Sequence, residues 1–211
     1  MTRPADSGAV RLHRFGRVER AVHWLTGLLV LVCVVTAAIL YNGPLAVLVG
    51  NRHIVETVHV WSGFALPIPL VAGLVSAAYR ADLRRLNRFT SADYRWLRSR
   101  ARRRSGVDVG KFNAGQKLNA ALSAGSISVL LGTGVIMFFP DWTRLTWRTG
   151  ATFVHDWFAL AFGLLVAGHL VYALRDREAM RGMIVGTVSK SWATREHMLW
   201  AARAESERRD R

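Results

Sequence analysis

The chain has 211 residues, 51% of them hydrophobic, with 29 Lys and Arg against 14 Asp and Glu, a formal net charge of +15. In a soluble protein that charge would point to nucleic acid. Here the arginines are segregated from long apolar runs, which argues against nucleic acid and for membrane topology and contact with anionic lipid headgroups. The single cysteine, Cys33, holds neither an internal disulfide nor an iron–sulfur cluster by itself.

Four apolar segments, near residues 21–40, 58–79, 118–139 and 157–174, approach or reach the ~20 residues that cross a ~30 Å hydrocarbon core. They predict an all-α integral membrane four-helix bundle with no separate soluble domain. Of the 29 basic residues, five precede the first segment, twelve lie in 80–117 and nine follow Leu174. Only Arg52, Arg144 and Arg148 fall in the two remaining loops. The split of 26 against 3 predicts that both termini and the central loop are cytoplasmic. The expected organisation is a cytoplasmic segment 1–20, a membrane domain 21–174 with a basic loop at 80–117, and a cytoplasmic tail 175–211.

The first helix opens with RFGRVERAVHWLTG, which places His23 just inside its cytoplasmic end, beside an interfacial Trp24. His13 lies outside the apolar run and is expected to be solvated. The second helix brings His53 and His59 near the outer face. His53 precedes the apolar run by several residues, so His59 is the preferred candidate. Pro67 and Pro69 predict a kink. The central loop includes RSRARRRSG and a short amphipathic helix near 90–97, then ends in GKFNAGQKLN, where Asn113 reads as a helix cap. The third helix is rich in Gly, Ala and Ser, which favours close helix approach, and contains no histidine.

The fourth helix, FVHDWFALAFGLLVAGHLVYAL, carries His155 and His169 fourteen residues apart. That separation is about 21 Å of rise and nearly four turns, so the two imidazoles share a face, one near each side of the membrane. In the tail, His197 is expected to be solvated and the last dozen residues disordered. By depth, His23 pairs with His169 on the cytoplasmic side and His59 with His155 on the outer side. A six-coordinate haem iron takes one axial ligand on each face, and neutral imidazole suits it. A lone membrane histidine often only bonds a neighbouring helix, but two depth-matched pairs form a more specific pattern. The alternative of a histidine-dependent metal or proton transporter calls for buried carboxylates. The first, third and fourth helices have none in their central parts, and Glu56 and Asp156 lie at the outer edge.

The stretches RFGRVERAVHW, VHVWSGFA, GKFNAGQK, VHDWFALAFGLLVAGHLVY and RGMIVGTVSKSWA together resemble the gamma subunit family of membrane-bound formate dehydrogenase, the dihaem cytochrome b of that complex. The likeness covers nearly the whole chain. It implies a bacterial inner-membrane subunit with two haem b groups, the inner one on His23 and His169 and the outer one on His59 and His155. It also implies a menaquinone site at Asn113, Gly115 and Gln116, adjoined by His169. The partners it implies are an iron–sulfur subunit and a molybdopterin catalytic subunit, and a higher oligomer of the complex is compatible with it. This chain departs in its shorter first outer loop and arginine-heavy central loop. The donor therefore has an alternative, a nickel–iron hydrogenase or another molybdopterin oxidoreductase.

Overall fold

In the computed structural model, which describes residues 10–98 and 109–209, each of the four apolar runs is helical. Most of the RSRARRRSG run lies outside the described residues. The elements in order are β1 (Arg11–His13), α1 (Arg17–Tyr41), α2 (Gly43–Val49), α3 (Arg52–Ala65), α4 (Pro67–Gly73), α5 (Ala77–Leu86) and α6 (Ser91–Arg98). Then follow α7 (Ala114–Phe138), a 3-10 turn at Pro140–Trp142, α8 (Leu145–Arg175), α9 (Arg177–Val185), β2 (Thr187–Ser189), α10 (Lys190–Glu196) and α11 (Met198–Arg209). They divide into two units: a bundle of residues 21–76 and 122–170, and a polar unit from the described parts of 1–20, 77–121 and 171–211.

The bundle is made of α1, the α3–α4 pair, α7 and α8, helices of 22 to 31 residues that are long and apolar enough to span a bilayer. One side chain from each spanning segment meets at its centre: Val30, Leu66, Ile127 and Phe162. Large apolar side chains such as Leu25, Leu28, Val71 and Leu164 point outward instead. Lipid rather than water is the solvent on that face, so a wide apolar exterior costs nothing there. The expected kink is present. Pro67 has no N–H to continue α3, so the helix ends at Ala65 and restarts at Pro67, with Leu66 N–H donating to the Gly63 carbonyl at 3.2 Å.

The second span runs six residues ahead of the expected 58–79. Asn51 caps it, its Oδ1 accepting from Ile54 N–H at 3.1 Å, and the chain turns after Gly73 into the charged α5. The short loop after α1 holds a further helix, α2, closed by Gly50 at φ 72°. The amphipathic helix expected near 90–97 is α6.

The polar unit has its own apolar core of Leu12, Val188, Trp192, Ala193 and Ala201. β1 and β2 pair antiparallel, Arg11 opposite Ser189 and His13 opposite Thr187, and this two-stranded ribbon is the only β structure among the described residues. Asp176 caps α9 through Ala179 N–H at 3.0 Å and also accepts from Trp192 Nε1 at 3.1 Å, tying α9 to α10. The last dozen residues, expected to be disordered, are helical in α11 as far as Arg209, because Ala201 is buried against this core.

His197, expected to be solvated, is 1% exposed. Its Nδ1 donates to the Gly110 carbonyl at 2.8 Å, and its Nε2 accepts from Arg14 Nη2 at 2.9 Å. Burial, reinforced by the Arg14 charge, pushes the imidazole down to about 3, so the ring is neutral. His13 is exposed, as expected.

Gly186 closes α9 at φ 92° and accepts at its carbonyl from Arg14 N–H at 2.8 Å. A Cβ there would lie 2.6 Å from the Phe15 carbonyl oxygen. Gly186→Ala is therefore expected to destabilise the polar unit by about 2 kcal/mol or more, combining left-handed backbone strain with a backbone clash. Thermal melting monitored by circular dichroism checks this, and an unchanged transition would contradict it.

Candidate functional site

The four singled-out histidines fall into two pairs within the bundle. His23 on α1 and His169 on α8 have ring centroids 6.2 Å apart, with an interplanar angle of 67°. His59 on α3 and His155 on α8 have centroids 6.3 Å apart at 69°. Two imidazoles bonded at about 2 Å to opposite sides of one metal ion hold their centroids about 6 Å apart, so both spacings fit a shared axial metal. His53 is exposed at the start of α3, and it is His59 that faces His155.

The donor set is also informative. Among the described residues no three His, Cys, Asp or Glu gather into one metal-binding group. Each pair thus offers two protein ligands, the number taken by a six-coordinate haem iron rather than by a zinc centre. One turn beyond His23 and His59, on the same faces, lie Gly27 and Gly63. A Cβ at either would meet nothing within 4 Å, which leaves open space beside these two histidines, as a bulky ring would need. The residues present fit haem.

Sequence reasoning passed over two side chains here. Thr36 Oγ1 lies 2.9 Å from His59 Nδ1, and Thr133 Oγ1 lies 2.9 Å from His155 Nδ1. All four spanning segments therefore contribute to the His59–His155 site. The only advance signal was that both threonines lie deep in otherwise apolar helices.

Asn113, Gly115 and Gln116 come together on the first turn of α7, in the polar unit. Asn113 Oδ1 accepts from Gln116 N–H at 2.9 Å, and Gln116 Oε1 accepts from Asn113 N–H at 3.0 Å. This is a reciprocal capping box, as the cap reading of Asn113 anticipated. It engages the two amide oxygens, while the NH2 groups are hydrogen-bond donors. Gly115 sits under the Trp96 ring, where a Cβ would approach Cη2 to 3.1 Å.

The flanking lysines are structural. Lys111 pairs with Asp82, and Lys117 Nζ donates to Asp93 Oδ2 at 2.7 Å and to the Arg88 carbonyl at 2.8 Å. Burial would raise the Asp93 carboxyl, but bonds from Lys117 and Thr90 outweigh it and hold it below the ordinary value. These pairs fasten α5 and α6 to the start of α7.

A bundle of helices long and apolar enough to span a bilayer, with two imidazole pairs inside it, defines a helical membrane protein. The chain belongs to the prokaryotic cytochrome b561 family, whose model matches residues 14–186. It is thus a multi-pass membrane cytochrome of the bacterial inner membrane, and haem b is the group its family carries. Its sequence is similar to the nitrate-inducible formate dehydrogenase cytochrome b556(Fdn) subunit of Escherichia coli K12, 26% identical over 195 residues and 87% of each chain. The corresponding subunit of Shigella flexneri matches to the same extent. The formate dehydrogenase cytochrome b556 subunit of Haemophilus influenzae is 24% identical over 213 aligned positions, 95% of this chain and 86% of that one. These findings bear out the resemblance read from the sequence.

Proposed function

We propose that the chain is the membrane cytochrome subunit of a formate dehydrogenase complex, carrying two haem b groups and passing electrons from an iron–sulfur partner to menaquinone. One observation carries the two-haem reading: two imidazole pairs of nearly equal spacing, 6.2 and 6.3 Å, set fourteen residues apart on α8. The names of the similar proteins support the complex. Two bound haems would supply one-electron steps stacked through the bilayer.

His59 and His155 would hold the outer group and His23 and His169 the inner one, with the termini cytoplasmic, as the placement of basic residues argues. Phe162 lies seven residues from each histidine of α8, so the packed layer of Val30, Leu66, Ile127 and Phe162 falls between the two pairs along that helix and excludes water there. On the first turn of α7, the NH2 groups of Asn113 and Gln116 and the helix N–H groups are donors for a quinone carbonyl as it gains negative charge.

Detergent-purified protein is expected to give two b-type haems per chain in a pyridine haemochrome assay. None, despite ample haem supply, would sink the reading and move the histidine-dependent transporter to the front. Subunits that co-purify identify the donor, and a nickel–iron hydrogenase partner in place of a molybdopterin enzyme would replace only that part.

Asn113→Ala and Gln116→Ala are expected to keep both haems and lower quinone turnover roughly tenfold or more, the scale of losing an oriented donor. Losing the cap costs about 1 kcal/mol, too little to unfold α7. Haem loss in both variants would assign the amides to folding alone.

A further inference from the structure

Two threonines share one arrangement that the haem reading leaves unexplained. Thr36 on α1 reaches His59 on α3, and Thr133 on α7 reaches His155 on α8, each from Oγ1 to Nδ1 at 2.9 Å. Each hydroxyl also donates to the carbonyl one turn back in its own helix, Val32 and Val129, both at 2.7 Å. A hydroxyl has one proton to give. With that proton on the carbonyl, the oxygen facing the imidazole is an acceptor, and the ring must supply the proton from Nδ1. The lone pair of the neutral ring is then on Nε2, the nitrogen left for a metal.

A threonine in an apolar helix often bonds back to its own i−4 carbonyl with no further role. That habit accounts for the two 2.7 Å contacts. It does not account for two ring nitrogens on neighbouring helices lying at the same distance from the two hydroxyls. Thr36, at 7% exposure, is moreover the one buried polar residue of the bundle among the described residues. Among those residues, neither His23 nor His169 makes a hydrogen bond of this kind, so the arrangement distinguishes one pair from the other.

We propose that Thr36 and Thr133 are positioning residues of the outer site, fixing the Nδ1–H tautomer of His59 and His155 and making these two rings the more electron-donating ligand pair. The inference rests on the two-haem reading above. A ligating imidazole whose far nitrogen donates a hydrogen bond is a more basic ligand with a fixed orientation. More basic ligands stabilise the oxidised metal, so the hydroxyls lower the outer potential relative to the same site without them. Electrons arriving at the outer pair are thereby released inward more readily.

The test uses the purified holoprotein with Thr36→Val, Thr133→Val and the two Thr→Ser variants, titrated optically through the α-band. The outer signal is assigned as the one missing from His155→Ala. The valine variants are expected to raise the outer midpoint potential and leave the inner one in place, while the serine variants restore the original value. Loss of the outer haem in the valine variants, with retention in the serine variants, supports the same role. Unchanged potential and spectrum in both valine variants would overturn it, as would equal shifts of both haems or serine behaving like valine. A wild-type protein without haem refutes the two-haem reading itself, and the positioning role of the threonines falls with it.

Discussion

His155→Ala is expected to take the haem content from two per chain to one, with the outer signal lost, and to reduce electron transfer from the external donor to quinone to background. His155 supplies one of only two protein ligands at that site, and His59, 6.3 Å away centroid to centroid, cannot span the ring alone. The helix itself should survive. His155 is only partly buried in α8, and the layer around Phe162 lies two turns away. The inner pair, His23 and His169, is untouched and should keep its haem. His23→Ala should give the complementary result. Haemochrome assays with reduced-minus-oxidised spectra decide it. Two haems remaining in both variants would mean the pairs are not ligands. Loss of both haems from either variant would mean the histidines hold the bundle together.

The other large effect concerns the polar unit. His197→Ala is expected to lower its stability by about 3 kcal/mol, through an emptied cavity and a buried guanidinium stripped of an acceptor. Arg14 is 4% exposed, and its Nε and Nη1 have no hydrogen-bond partner among the described residues, so Nη2 carries its bonds to His197 and to the Lys111 carbonyl. Its charge otherwise rests on the Trp192 ring, 4.7 Å below. The variant should melt earlier and be cut by trypsin in the tail, at exposed Arg195 first.

The same residue gives an acid dependence. Above pH 6.5 the ring is neutral whether the chain is folded or unfolded. Between 6.5 and about 3 only the unfolded chain takes the proton, so stability falls by about 1.4 kcal/mol per pH unit as acid is added, then levels. His197→Ala removes that slope. A variant as stable and as acid-sensitive as wild type would contradict the buried geometry.

What could be read beforehand and what could not divides along physical lines. The pairing of His155 with His59, and of His169 with His23, was legible because helical rise converts residue number into depth. The proline break and the Asn113 cap were legible because each is a local backbone rule. Thr36 and Thr133 were not, since whether a hydroxyl meets a ring on the next helix depends on how both helices rotate. Lys111 and Lys117 count in the sequence only as topology charges, yet Lys111 is half-buried and Lys117 buried on carboxylates 29 and 24 residues away. His197 was misjudged for the same reason: its surroundings come from Arg14 and Gly110, 183 and 87 positions distant. The α11 helix was missed because a single buried alanine leaves little trace in composition.

Because α8 provides one member of each histidine pair and follows α1 and α3 in the chain, neither pair can form before α8 has been made. The outer pair waits for residue 155 and the inner for residue 169. On the two-haem reading, the first three spans would therefore enter the bilayer before either ligand pair is complete. A chain truncated or stalled before α8 has no complete ligand set. On that reading the fold would order biogenesis, with membrane insertion first and cofactor capture second.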